Sequence, residues 1–158
     1  MAQSTHPNSF DDHDHDRCIR SALTAADAAC AAQSLRLTPV RRRTLEILLE
    51  SHEAMGAYDV LARLDAEGFG SKPPVAYRAL SFLVDAGLAH RIERLNAFVA
   101  CAKPGSDHTP AFLICTDCGT VAEDEVQDAL EVSAHAAGFR IERTTVEATG
   151  LCPGCQDS

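Results

Sequence analysis

The sequence predicts an α+β chain: an N-terminal winged helix-turn-helix domain followed by a smaller C-terminal α/β domain. Three observations predict it. Apolar residues recur at three- and four-residue spacing through most of residues 17–86, as amphipathic helices require. After Gly87 the pattern shortens to two strands around a turn. Past residue 110, further strand and helix patterns run between two Cys-x-x-Cys pairs.

Each element has its own warrant. Ile19, Ala22, Leu23, Ala26 and Cys30 form the stripe of a first helix over 17–34, which makes Cys18 and Cys30 small core residues. Thr38-Pro39 offers an N-cap and a first-turn proline to a helix reaching about His52, with Val40, Thr44, Ile47 and Leu48 inward. Gly56 breaks the chain, and a helix over 57–67 turns Val60, Leu61 and Leu64 inward. Pro73-Pro74 opens a helix over 73–86, with Gly87 as its stop. One face of that helix carries Val75, Ala79, Phe82 and Leu83; the other carries Tyr77, Arg78, Ser81 and Asp85. Strands over 90–94 and 98–101 flank a tight turn at Leu95-Asn96-Ala97. Helix 57–67 then supports, helix 73–86 reads and the hairpin is the wing. Residues 103–110 form a connector. Beyond it come a strand over 111–115, a helix over 123–137 with Val126, Leu130 and Ala137 on one stripe, and a strand over 139–148.

Composition bounds the function. Of 158 residues, 46% are hydrophobic and 23% charged, ordinary globular usage that excludes a wholly disordered chain. No apolar run approaches the roughly 20 residues of a membrane span. No basic-then-apolar leader opens the chain, so it is expected in the cytoplasm. The formal charge of −9 argues at first against nucleic acid, but it is uneven. Residues 1–16, with Asp11, Asp12, Asp14 and Asp16, carry −4 and read as a disordered acidic arm. Residues 17–94 carry +2, with Arg41, Arg42 and Arg43 consecutive, and residues 95–158 carry −7. The basic middle coincides with the winged helix.

Seven cysteines are many for a reducing compartment. Cys115 and Cys118, then Cys152 and Cys155, form two Cys-x-x-Cys pairs separated by 33 residues, a spacing that suits a closed tetrahedral zinc site. Gly119 and Gly154 are expected to permit the tight turn each pair needs. Redox dithiols are the rival, but a thioredoxin-like motif calls for a βαβ unit. His90, Cys101, His108 and Glu123 are individually ordinary; together they offer two nitrogens, a sulfur and an oxygen, a set acceptable to zinc and soft for iron or manganese. On the reader helix, Tyr77, Arg78 and Ser81, with Lys72 just before it, match residue types that hold phosphates and guanine.

Leu37-Thr38-Pro39-x-Arg41, Ala57-Tyr58-Asp59, Lys72-Pro73-Pro74-x-x-Tyr77-Arg78-Ala79-Leu80 and the two Cys-x-x-Cys pairs stand in the order seen in the ferric uptake regulator family. The chain resembles that family over about residues 20–156, and its zinc branch most. The resemblance implies a dimeric, metal-dependent transcription factor with a C-terminal α/β dimerisation domain. It implies zinc-dependent repression of zinc-uptake genes through palindromic double-stranded operator DNA, with no membrane and no small-molecule substrate. It implies two zinc ions per protomer: a structural one on Cys115, Cys118, Cys152 and Cys155, and a regulatory one on His90, Cys101, His108 and Glu123. Lys72, Tyr77, Arg78, Ser81 and Arg41 are the expected DNA contacts. Domains are expected over 1–16, 17–101, 102–110 and 111–158. Val75-Ala76 stands where the family usually has Thr-Val or Ser-Val, and Val40 where it usually has Gln. An iron or manganese regulator is the alternative within the family. From other classes come a zinc hydrolase with Glu123 as base and a zinc-stapled protein-interaction module.

Overall fold

Thr38 and Pro39 start a helix where the sequence places one, and three further helices and a hairpin pack around it. The computed structural model describes residues 10, 14–126 and 129–157. Among them run α1 (His15–Ala32), α2 (Pro39–Leu49), α3 (Ala57–Ala66), α4 (Pro73–Asp85), β1 (Ala89–Ile92) and β2 (Ala97–Ala100). The C-terminal half holds β3 (Pro110–Cys115), β4 (Val121–Glu125), α5 (Ala129–Ala136), β5 (Val146–Gly150) and α6 (Pro153–Gln156). No helix among the described residues is long and apolar enough to cross a membrane.

The first core is built from small and branched side chains. Ile47, Val60, Leu64, Leu80, Leu83 and Leu88 are buried together, with Ala26, Ala29 and Cys30 of α1 laid against them. Cys30 thus packs in the core, as its place on the α1 stripe requires, whereas Cys18, in the first turn of α1, is only half-buried and lies outside that core. On α4, Ala76 and Leu80 are buried with Ala79 and Leu83, whereas Val75 and Phe82 are only half-buried at the edge.

β1 and β2 pair antiparallel, with His90 opposite Val99 and Ile92 opposite Ala97. The turn is therefore Glu93-Arg94-Leu95-Asn96, not Leu95-Asn96-Ala97. Asn96 takes the left-handed conformation (φ 46°), which asparagine tolerates, so Ala97 is free to pair. The second sheet has order β4-β3-β5, with β3–β4 antiparallel and β3–β5 parallel.

Two expected elements of this half differ. The expected helix over 123–137 gives way to β4 and the shorter α5. Val121 and Ala122 bury themselves opposite Ile114 and Leu113, and this pairing outweighs the weak strand preference of Glu123-Asp124-Glu125. The expected strand over 139–148 is formed only from Val146. A strand needs a neighbour, and Ala111, just inside the start of β3, already pairs with Val146. The arm expected over 1–16 falls mostly outside the described residues. Its last residues belong to α1, where Asp14 is the N-cap and its carboxylate accepts the Arg17 N–H at 3.1 Å.

The halves are joined by more than the connector. Ile92 and Val99 of the wing pack with Phe112, Ile114 and Val121 of the second sheet in a separate apolar cluster. The segment between α2 and α3 bridges both: Met55 pairs with Phe98 of the wing, and Glu53 with Thr120 beside β4.

The arginine run is mostly internal. Arg42 pairs with Asp27, and Arg43 reaches Glu46, Glu50 and Glu67 at 3.1, 2.8 and 2.6 Å. Burial raises the pKa of Glu50, but hydrogen bonds from Arg63 and Arg43 outweigh it and hold the carboxyl below its ordinary value. That contribution is present above the unfolded carboxylate value and is lost as pH falls through the lower folded one. Arg43→Ala is expected to cost about 1 kcal/mol, since the pairs are partly solvated. A thermal melt at neutral pH should show it, and the deficit should shrink toward pH 3.

Candidate metal centres and nucleic-acid interface

Parallel pairing of β3 and β5 explains how two cysteine pairs far apart in sequence meet. Cys115 lies opposite Gly150, so both strands end at one edge and their following loops stand side by side. The Thr116 N–H donates to the Gly150 carbonyl at 2.9 Å, and the Cys152 N–H to Cys115 Sγ at 3.4 Å. Sγ atoms of Cys115, Cys118, Cys152 and Cys155 all lie within 4.8 Å of one another. Gly119 makes the turn of the first loop in the left-handed conformation (φ 76°). Gly154 plays no such part: it lies within α6, where any residue fits the backbone. Backbone N–H groups of Cys152 and Cys118 draw the Cys115 thiol down to about 6, so a thiolate is already favoured there. A hydrogen bond with Asp117 pushes Cys155 the other way.

The second group sits where the two halves meet. His90 is on β1, Cys101 directly follows β2, His108 is in the connector and Glu123 is on β4. His90 pairs with Val99, so Cys101, two residues on, is its diagonal neighbour on the same face, and the Cys101 N–H donates to the Leu88 carbonyl at 2.9 Å. His108 Nε2 and His90 Nε2 approach Glu123 Oε1 to 2.6 and 3.3 Å, and Cys101 Sγ lies 3.8 Å from both His108 Nε2 and Glu123 Oε1. Four ligand atoms, one per residue, fall within 4.8 Å. Neighbours orient them. Glu123 Oε2 accepts the Ala102 N–H at 2.7 Å, leaving Oε1 for the centre. His108 Nδ1 lies 3.1 Å from the Ser106 carbonyl, and an N–H donated there leaves Nε2 as the ligand atom.

These residues fit a metal ion. His90 Nε2 is buried with no hydrogen-bond partner, a costly state that a metal would relieve. Burial and the Glu123 charge push the Cys101 thiol up to about 12, so Cys101 carries its proton until a cation displaces it. Burial opposes ionisation of Glu123, but the adjacent His90 imidazole, with the Ala102 N–H and His108, outweighs it and keeps its carboxyl low. Two nitrogens, a thiolate and a carboxylate in a tight cluster suit zinc and fill its usual four positions.

Tyr77, Arg78 and Ser81 all lie on the exposed face of α4, with Lys72 at its N-cap. Lys72, Arg41 and Arg78 form no ion pair among the described residues, in contrast to Arg42 and Arg43. The Arg41 guanidinium stacks 3.7 Å from the Phe82 ring centroid and donates to the Arg36 carbonyl at 2.8 Å, which holds it beside α4. Tyr58 joins this face unforeseen. It is 66% exposed at the start of α3, with its ring 6.3 Å from that of Tyr77 in a T-shaped pair. An aromatic in the first turn of the supporting helix was the available signal.

Comparisons with known proteins agree with this architecture. The ferric uptake regulator family model matches residues 32–149. The zinc uptake regulation protein of Escherichia coli (strain K12) is 37% identical over 137 residues, covering 84% of this chain and 80% of that protein. A solved zinc uptake regulator complexed with zinc and DNA superposes with a TM-score of 0.81 at 35% identity, over 88% of this chain and 95% of that one. The holo form of XcZur gives 0.79 at 37% identity, over 87% of this chain and 99% of that one. The apo form of XcZur, also 37% identical and covering 89% and 99%, gives 0.52. The chain belongs to the ferric uptake regulator family.

Proposed function

We propose that this chain is a cytoplasmic, zinc-responsive transcriptional regulator that binds palindromic operator DNA as a zinc-loaded homodimer and represses zinc-uptake genes. The observation that carries the reading is the four-ligand cluster of His90, Cys101, His108 and Glu123, drawn from the wing, the connector and the second sheet. We assign two zinc ions per protomer, one held by that cluster and one by Cys115, Cys118, Cys152 and Cys155. Bound at the first cluster, zinc supplies positive charge that stabilises the Cys101 thiolate and Glu123 carboxylate together. His90 and Cys101 then stay beside His108 and Glu123, and α4 keeps one orientation relative to the C-terminal half. By linkage, operator DNA should tighten zinc binding by the same factor.

In this reading residues 1–16 are the acidic arm, 17–101 the DNA-binding domain, 102–110 the hinge and 111–158 the dimerisation domain. Lys72, Tyr77, Arg78, Ser81 and Arg41 contact DNA, and Tyr58 adds a phosphate contact. Leu130, Val132 and Phe139 are 56%, 70% and 68% exposed on the C-terminal half, apolar area that supports pairing of two copies there. A twofold pair presents two α4 helices, hence the palindrome. The family assignment sets the hydrolase reading aside, and the buried Cys101 sulfur argues for zinc over iron or manganese.

The test is DNA binding at fixed salt, using DNA enriched from random sequence by the zinc-loaded protein. Zinc is expected to raise affinity at least about tenfold, a coupling of ordinary size, over chelator-treated protein, and iron(II) and manganese(II) much less. Equal binding with and without zinc overturns the reading. Arg78→Ala is expected to cost about 1–3 kcal/mol on that DNA and little on random DNA, as loss of a base contact would. Equal losses on both would make Arg78 a phosphate contact.

A further inference from the structure

One row of residues crosses the second sheet. Glu123 on β4 and Glu147 on β5 both stand opposite Phe112 of β3. Residues paired across strands share a face, and this face is turned to the wing. Glu123 meets His90 and His108, and Phe112 packs with Ile92 and Val99. Glu147 reaches the turn of the wing: its Oε1 accepts the Glu93 N–H at 2.7 Å and its Oε2 accepts the Arg94 N–H at 3.1 Å.

We propose that Glu147 is a positioning residue for operator binding, a metal-independent clasp on the wing turn at the opposite end of the row from the metal ligand Glu123. This rests on the reading of the chain as a metal-gated DNA-binding protein. One carboxylate spans two successive amides, so both bonds are charge-assisted and the turn is fixed in position and in rotation. The turn is stiffly tied to α4. Leu88, between α4 and β1, is buried in the first core, and Arg91 Nη2 donates to Asn96 Oδ1 at 2.7 Å across the turn. Holding the turn therefore holds the reader helix. Without Glu147 the wing is gripped at the metal cluster and the apolar cluster but free to tilt at its tip, and zinc binding would then be less tightly coupled to the pose of α4.

Electrostatics alone predicts the reverse sign. A carboxylate at a wing tip repels phosphates, so removing it by charge alone should tighten binding to any DNA.

The experiment uses the full-length, zinc-loaded protein and its E147A and E147Q variants. Structural zinc content and helix content serve as controls that each variant is folded. Without DNA, amide hydrogen exchange at Glu93 and Arg94 is expected to speed up about tenfold in E147A. E147Q, whose carboxamide oxygen can accept one N–H, should fall between. With DNA at saturating zinc, E147A is expected to bind the enriched sequence about tenfold more weakly, the loss appropriate to charge-assisted bonds, while random-DNA affinity holds or rises. Unchanged exchange at both amides overturns the clasp. Faster exchange with unchanged or tighter operator binding overturns its positioning role. Wild-type protein that ignores zinc overturns the functional reading instead, while the exchange result still decides the contact.

Discussion

Cys101→Ser is expected to remove zinc-stimulated operator binding and leave a folded dimer with one zinc per protomer. Cys101 is 3% exposed and its sulfur sits 3.8 Å from two other ligand atoms, so no neighbouring group can replace it. A serine oxygen is harder, sits closer to Cβ and stays protonated, all of which disfavour zinc. Changes one shell further from a metal cost 10–100-fold in affinity, so losing the thiolate should cost about 100-fold or more. Zinc titration against a chelator reads the affinity, metal analysis counts the remaining ion, and sedimentation reads the dimer. Unchanged zinc-dependent DNA binding would sink the assignment of the regulatory centre. The wild-type centre should also follow pH. With its thiol up at about 12, Cys101 releases a proton when metal binds, so apparent zinc affinity should rise about tenfold per pH unit from pH 6 to 8 for that proton. In Cys101→Ser that proton is absent from the balance, and the slope should fall by one.

The helices of the N-terminal half were legible because each carries its own period and punctuation. Thr38-Pro39 starts α2 and Gly87 follows α4 in the left-handed conformation (φ 73°), both local signals. The wing is legible as a hairpin, but its turn spans Glu93–Asn96 rather than Leu95–Ala97, since register depends on which residues pair and Asn96 rather than Ala97 takes the left-handed position. In the C-terminal half the local signal fails. Val121-Ala122-Glu123-Asp124-Glu125 has an ordinary helical composition, and only its partner strand makes it β4. That error leaves the candidate centre intact, because Glu123 faces inward in either case.

Charge shows the same limit. Arg41, Arg42 and Arg43 look alike in sequence, yet Arg42 and Arg43 serve internal ion pairs and only Arg41 is set beside α4. The DNA-facing surface is therefore less basic than the residue count implies. Affinity for random DNA should be low, and the pose of α4 should carry most of the discrimination. The wing clasp at Glu147 was invisible for a related reason. Glu147 lies 54 residues from Glu93, and nothing in a run of Thr, Val and Glu marks a side chain that will bind a distant backbone.

Cys152→Ser is expected to do more damage than Cys101→Ser, in a different place. The N-terminal core closes on itself, with Ile47, Val60, Leu64 and Leu83 fully buried among helices. Among the described residues the C-terminal half has no comparable core. Its buried apolar cluster is borrowed partly from the wing through Ile92 and Val99, while Leu130, Val132, Phe139 and Leu151 remain exposed in the single chain. A unit that small relies on a staple, and structural zinc sites in small domains are worth about 10–16 kcal/mol at neutral pH. Cys152 is central to this one. Its N–H donates to Cys115 Sγ, its Sγ lies 3.8 Å from Cys118 Sγ, and it is the N-cap of α6, two residues past the end of β5. Losing it frees the end of β5, and with it the surface proposed for pairing two copies. Sedimentation should show monomer, metal analysis no structural zinc, and circular dichroism near-native helix content from the N-terminal half. Operator binding should be lost even with Cys101 intact, because one reader helix cannot span a palindrome. A Cys152→Ser protein that stays dimeric after losing its structural zinc would make the cysteine cluster dispensable and shift the stabilising role to the apolar pairing surface.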